Sequence, residues 1–344
     1  MKKNLLLFSL LLALFACNNE PKPEPGKPET ESQTPVTVSE AIERYNDSIA
    51  NDSTNAMLYL HRAKAYLANE QVGAAMIDIN KSLQLDPNNV DTYLLLANVY
   101  YMLGDESNIN ATLNRAAEIA PLDTRPMVKL AELNLLQQNY KLAVAYVDKA
   151  LKTQPYNPQA YFVKGMYFIM AQQDTANALK NFQRAAEQDE NFYDPVEQIC
   201  RIYVVQEPPY TLEYLRKVQQ QFPDHANSRY ELALYLQSHG EPEEAVKHYD
   251  TLLMQNPENY IVLYNLGYVH LVYTDHYDVA LDYFNRALEL KPDYLDAIFN
   301  KGHVYELMGD FAKATDIYKE VLKIKPNYNL AIEGLQRIQN QFEE

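Results

Sequence analysis

Seven histidines, two cysteines and many carboxylates are the residues of this chain that could ligate a metal or move a proton, and their spacing serves neither purpose. His61, His225, His239, His248, His270, His276 and His303 form no HExxH pair and no cysteine–histidine finger, the arrangements that bring several ligands to one face of a helix or turn. The nine glycines are not clustered, so no loop offers the bare run of backbone N–H groups that cradles a phosphate. Acidic residues such as Glu241, Glu243 and Glu244 sit where a helix would start, and there they complement the helix dipole. With 46 acidic against 30 basic residues the formal charge is −16, which repels the backbone of a nucleic acid. Catalysis, a cofactor, a bound metal and nucleic-acid binding are therefore not expected.

The residue type in excess is tyrosine: 28 of them and no tryptophan. Their placement follows a ruler set by proline. Pro87, Pro121 and Pro155 stand 34 residues apart, Pro155 and Pro223 twice that, Pro223 and Pro257 again 34, and Pro292 and Pro326 again 34. A fixed period of this length marks a stack of repeats, each of which buries its apolar face only against its neighbours. With proline at slot 32, the unit 56–89 carries Tyr59, Ala63, Tyr66, Ala75 and Ile79 at slots 4, 8, 11, 20 and 24, and the unit 295–328 carries Ile298, Gly302, Tyr305, Ala314 and Tyr318 there. Slots 4, 8 and 11 share one helical face and slots 20, 24 and 27 another, so each unit is two amphipathic helices. Small residues at slot 8 (Ala97, Ala131, Gly165, Gly267) and slot 20 (Ala143, Ala245) let the two backbones approach.

This spacing of aromatic, small and proline positions resembles the tetratricopeptide repeat, over nearly all of residues 39–341. The resemblance implies an all-α, right-handed α-solenoid of stacked antiparallel helix pairs. Eight units are expected, at 56–89, 90–123, 124–157, 158–192, 193–225, 226–259, 260–294 and 295–328, within one domain spanning 36–344. The fourth and seventh units carry one extra residue in their turns, and Pro208-Pro209 stand where the helices of the fifth should connect, excluding helix there. Ala41, Tyr45 and Ser48 match a lone second helix before the array, and 329–342 reads as a capping helix with Ile332, Leu335 and Ile338 inward. Cys200 falls at a slot that wants a small buried residue, so packing is its natural reading.

In this family ligands lie along the inner wall built by the first helices. The corresponding slots hold Tyr101, Met102, Phe162, Met166, Met170, Tyr230, Tyr264, Tyr268 and Phe299, an apolar and aromatic set of the kind enriched in interface cores. Tyr101, Phe162, Tyr264 and Tyr268 are the expected anchors; the competing reading is that the stack fills its own groove with these side chains. Family members that grip a C-terminal carboxylate use lysine, asparagine and arginine on successive first helices. Lys64, Asn98, Arg125 and Lys129 match part of that set, but Leu60, Leu95 and Val128 stand where further polar groups would be needed, leaving a basic spot rather than a full clamp.

The N-terminal residues follow another logic. Lys2 and Lys3 precede an apolar run from Leu5 to Phe15, too short to span a bilayer and of signal-peptide length. It ends in Leu14-Phe15-Ala16-Cys17, which resembles the lipobox of bacterial lipoproteins and implies a signal peptide over 1–17 with lipid, palmitate included, on Cys17. Residues 18–35 hold Pro21, Pro23, Pro25, Pro28 and Pro35 among polar residues and read as an extended tether. Asn18 in place of Asp gives no signal for inner-membrane retention, so the outer membrane is the expected address. The whole predicts a lipid-anchored scaffold of the cell envelope that binds protein segments in its groove; the alternative is a receptor for an oligosaccharide or another small ligand among the tyrosines.

Overall fold

The computed structural model describes residues 37–343, and among them eighteen α-helices and no strand. The array opens on a lone helix α1 (Val38–Asn51). Seven hairpins follow the same plan: α2 (Ala56–Ala68) with α3 (Val72–Leu85), α4 (Val90–Met102) with α5 (Glu106–Ile119), α6 (Arg125–Leu136) with α7 (Tyr140–Thr153), α8 (Pro158–Tyr167) with α9 (Thr175–Gln188), α12 (Ala226–Ser238) with α13 (Pro242–Gln255), α14 (Tyr260–Val272) with α15 (Tyr277–Leu290), and α16 (Leu295–Leu307) with α17 (Phe311–Ile324). Between α9 and α12 lie α10 (Tyr193–Gln206) and α11 (Thr211–Gln221), and α18 (Asn329–Glu343) closes the chain. Links of three to seven residues leave no room for any course but antiparallel return within a hairpin. The expected half-unit, eight units and cap are all present. Where the repeat in the sequence runs on as one array, the contacts divide into two compact units, up to Val196 and from Glu197 onward.

Local sequence explains where each helix begins and ends. Asn55, Asn89, Asn157 and Asn259 precede first helices and each accepts a backbone N–H of the opening turn, while Asp105, Asp174 and Asp310 do the same for second helices. Thr37 and Glu40 form a reciprocal capping box at α1. Each hairpin turns on one residue of left-handed backbone, Glu70, Gly104, Gln138, Gln173, Glu207, Gly240, Asp275 or Gly309. The N–H after it reaches back five residues to close the first helix, as in Gln71 to Tyr66 at 2.8 Å, Asp105 to Tyr100 at 2.9 Å and Asp310 to Tyr305 at 2.9 Å.

The two irregular turns read from the sequence are absorbed at this closure. In the fourth unit the bond runs one residue further, Asp174 to Phe168 at 3.0 Å, and Phe168–Gln172 widens into a π-helical turn. The seventh does the same with His276 to His270 at 3.0 Å. In the fifth, Pro208 has no N–H to give, and the chain instead turns through Thr211, whose hydroxyl and N–H both donate to the Pro208 carbonyl.

Within a hairpin the crossing is set by side-chain size. Ala63 and Ala97 face Ile79 and Leu113 across their hairpins, whereas Gly165, Gly267 and Gly302 face Phe182, Phe284 and Tyr318. A methyl group on Gly165 would stand 2.4 Å from the Phe182 ring, and one on Gly267 2.7 Å from Phe284. The aromatic ring thus occupies the volume a Cβ would need, and both rings are fully buried. At the C-terminal end Tyr318 lies between Gly302 and Gly334 of α18, and Ala331 and Ile338 of that helix are buried on the same cluster, so the last hairpin's apolar face is covered.

Candidate functional site

The first helices expose a face whose make-up differs between the two units. In the first unit Tyr101 is half-buried against Ile109, Leu113, Leu130 and their neighbours, Met102 is 58% exposed, and Met170 lies half-buried in the π-helical turn. Phe162 and Met166, expected on the open wall, are instead core: Phe162 is 4% exposed, its ring 5.4 Å edge-on to Phe192 and 5.8 Å from Phe182. Phe192, which closes the same repeat, is laid over it, and the slot alone does not show this.

The basic spot is also altered by its surroundings. Arg125 is held by Asp91 at 2.6 Å and Asp123 at 2.7 Å, and Lys129 donates to Glu132 at 2.8 Å. The hydrogen bond from the Arg125 guanidinium brings the Asp123 carboxyl below its usual range despite burial. Burial pushes Glu132 upward against the pull of Lys129. Lys64 and Asn98 are half-buried on α2 and α4. Three carboxylates therefore already meet two of the four groups, and an incoming carboxylate would have to displace them.

In the second unit the wall is an aromatic ladder with polar rungs. Asn265 Nδ2 donates to the Tyr230 hydroxyl at 3.0 Å, and Asn300 Nδ2 donates to the Tyr264 hydroxyl at 3.0 Å. Both asparagines are buried, so each fixes a tyrosine of the preceding repeat. Tyr264 packs 5.0 Å from Tyr294, 5.9 Å from Phe284 and 6.3 Å from Tyr268; burial raises its phenol, and Asp296 adds to the rise. Tyr230, Tyr264 and Tyr268 are half-buried, open on one side. Phe299, expected on this wall, is core: at 8% exposure it stacks 5.5 Å from Tyr318 and 5.4 Å from Tyr328. His303, above it, is held neutral by burial, with Glu306 pulling the other way.

At the ends of the first helices, where the sequence pointed to Met102 alone, exposed apolar residues come in pairs. Met102 and Leu103 are 58% and 59% exposed, and in the second unit Val272 with Tyr273 and Leu307 with Met308 are exposed by 40–47%. These pairs occupy the same two positions of their repeats. Cys200 is buried as expected, its thiol pushed up to about 12 by burial and by Glu231 and Glu197. Among the described residues no group of three or more His, Cys, Asp or Glu side chains is placed to hold a metal. No described helix is long and apolar enough to cross a membrane. Cys17 and the tether lie outside the described residues.

These hairpins, capped, stacked and open along their first helices, define an all-α helical-repeat protein. Models of the tetratricopeptide repeat match residues 57–89, 79–108, 128–192, 230–272 and 271–337, and the chain belongs to that family. It is 25% identical to anaphase-promoting complex subunit 3 of Schizosaccharomyces pombe over 250 residues, 72% of this chain and 37% of that one. It is 22% identical to the Hsp70-Hsp90 organizing protein of Triticum aestivum over 275 residues, 76% of this chain and 40% of that one. The chain thus spans well under half the length of these curated relatives. Among solved structures it resembles the Cut9-Hcn1 hetero-tetramer of the APC/C, with a TM-score of 0.54, 20% identity and 86% of this chain against 58% of that one. It also resembles the C-terminal part of a TPR repeat-containing protein of Cytophaga hutchinsonii, with a TM-score of 0.56, 17% identity and 70% against 98% coverage. At these identities the likeness is one of fold.

Proposed function

We propose that the chain is a non-catalytic scaffold that binds protein segments along its first helices, anchored to a bacterial envelope membrane through Cys17. The observation that carries the binding reading is the recurrence of exposed apolar pairs, Met102-Leu103, Val272-Tyr273 and Leu307-Met308, at one position of the repeat. Isolated exposed hydrophobes are ordinary, but Val272-Tyr273 and Leu307-Met308, on consecutive first helices of the second unit, set two such pairs beside its tyrosine ladder. The names of the relatives agree, since one is a subunit of a multi-protein complex and the other an organizing protein for Hsp70 and Hsp90. An oligosaccharide receptor is less well served. Sugars stack on open aromatic faces and bond to free hydroxyls, whereas the Tyr230 and Tyr264 hydroxyls already accept from Asn265 and Asn300 and keep only the O–H to offer.

Photo-crosslinking residues placed at Tyr268 and Leu307 in growing cells should give discrete protein adducts, and the same residue at Lys319 on the second helix α17 should not. Adducts equally from all three positions, or from none, would remove the wall as a binding surface. The anchor is read separately: wild type should incorporate labelled palmitate and sediment with membranes, and Cys17→Ser should lose the label and appear in the soluble fraction. Label retained by Cys17→Ser would overturn the lipidation reading.

A further inference from the structure

The ladder of the second unit has a rung that breaks the pattern. Where later repeats pair Tyr230 with Asn265 and Tyr264 with Asn300, the preceding step has Glu197 at the tyrosine's position and Glu231 at the asparagine's. Glu197 is satisfied elsewhere: it is buried and accepts from Arg201 at 3.0 Å and from Asn227 Nδ2 at 3.0 Å. Glu231 is half-buried beside Tyr230, within the field of Arg201, and accepts no hydrogen bond among the described residues. A carboxylate partly removed from water without a donor is costly, and an incoming cation relieves that cost.

The rings tell the same story by a different route. This chain lays its own cations on tyrosine faces repeatedly: Lys291 stands 4.9 Å from the Tyr260 ring, Lys325 5.5 Å from Tyr328, Lys313 4.9 Å from Tyr305 and Arg286 5.3 Å from Tyr283. Among the described residues no lysine or arginine covers Tyr230, which lies within the field of Glu231, or Tyr264 and Tyr268 on the first helix of the next repeat. A tyrosine face attracts a cation most when the cation is partly desolvated. Beside these rings run Ile261, Val272, Tyr273 and Leu307, all at least 40% exposed. The acidic body, at −16 overall, supplies long-range attraction of the same sign.

We propose that the first-helix wall of the second unit takes an apolar protein segment bearing lysine or arginine, its cation donating to Glu231 and resting on the tyrosine faces. This deepens the scaffold reading and rests on it: the wall must bind a segment at all before its charge preference matters. It also reverses the polarity of the carboxylate-gripping members of the family, whose cationic groups correspond here to Arg125 and Lys129, already met by acids.

The test uses the full chain and two labelled peptides of identical leucine and tyrosine content, one carrying lysine and arginine and the other aspartate and glutamate, followed by fluorescence anisotropy. The basic peptide should bind ~tenfold tighter, with the gap narrowing as salt is raised. Glu231→Gln should loosen the basic peptide about three- to fivefold, as befits a part-exposed ion pair, and leave the acidic one no weaker. Tyr268→Leu, which keeps apolar bulk, should weaken the basic peptide and spare the acidic one. Equal or tighter binding of the acidic peptide, or no response to Glu231→Gln in a variant that melts like wild type, overturns the charge preference while leaving the scaffold reading standing. Binding of neither peptide removes both.

Discussion

Left-handed backbone at one residue per hairpin is where single side chains weigh most on this fold. Gly104, Gly240 and Gly309 occupy it without penalty, but Gln138, at φ 60, must accept a Cβ close to the following carbonyl. Gly also loses more freedom on folding, which offsets part of the gain. Gln138→Gly should therefore raise stability by ~0.5–1 kcal/mol, and Gly309→Ala, placing a Cβ at φ 80, should lower it by about 1 kcal/mol. Urea midpoints decide the matter, and a stabilised Gly309→Ala would show that the turn relaxes out of this conformation. The same positions show where sequence reading stops. Five of the eight turn residues are Glu, Gln or Asp, so composition does not mark the turn. Tyr101 stays half-buried and Met102 58% exposed, as slots that point away from the helix crossing allow. Phe162, Met166 and Phe299 are core and not wall, since a slot says which way Cβ points and not that Phe182 with Phe192, or Tyr318 with Tyr328, closes over Phe162 or Phe299 from within the same repeat.

At the scale of the hairpin, one rule of size reciprocity holds the crossing: alanine opposite Ile79 or Leu113, glycine opposite Phe182, Phe284 or Tyr318. Ala233, at the same slot of the hairpin that buries Tyr249, departs from this rule; Tyr249 donates to Gln237 at 2.9 Å. Gly267→Ala pits two effects against each other. Helix propensity favours alanine by ~1 kcal/mol. Against it, a Cβ 2.7 Å from a fully buried Phe284 ring overpacks the crossing by ~1–3 kcal/mol, with the ring unable to retreat. The net should be destabilising. Phe284→Leu in the same chain recreates the alanine–aliphatic pairing of α4 and α5, so the double variant should recover part of the loss. Thermal melts in which Gly267→Ala costs nothing, or Phe284→Leu does not rescue it, would show that the hairpin is set by something else. The period and the small slots were legible because the repeat restates them eight times; the reciprocity needed the coordinates, since it couples residues 16 or 17 positions apart in ways that periodicity does not weigh.

Across the molecule, charge and protonation divide between the two units. The second unit holds three histidines whose imidazolium is disfavoured chiefly by burial: His248, opposed by Arg229 and aided by Glu244; His270, opposed by His276 and aided by Asp250; and His303, aided by Glu306 and opposed by Arg337. A histidine kept neutral by the fold takes its proton more readily when unfolded, so its contribution is complete above the ordinary value of 6.5 and is lost as pH falls through it toward the folded value. Glu231 and Asp250 respond the other way, since burial raises them; their folded forms gain from acid, but only on approach to the carboxylate range. Between about pH 7.5 and 5.5 the histidines should therefore decide the sign, and the second unit should weaken. In the first unit Glu132 is raised by burial, which makes acidification there neutral to favourable. Hydrogen exchange at the two pH values, corrected for the intrinsic rate, should show protection falling at Val269 and Val304 and holding at Val99 and Val147. A variant with His248, His270 and His303 each replaced by glutamine should lose most of that difference, and an equal fall in both proteins would mean that groups other than these histidines set the acid response.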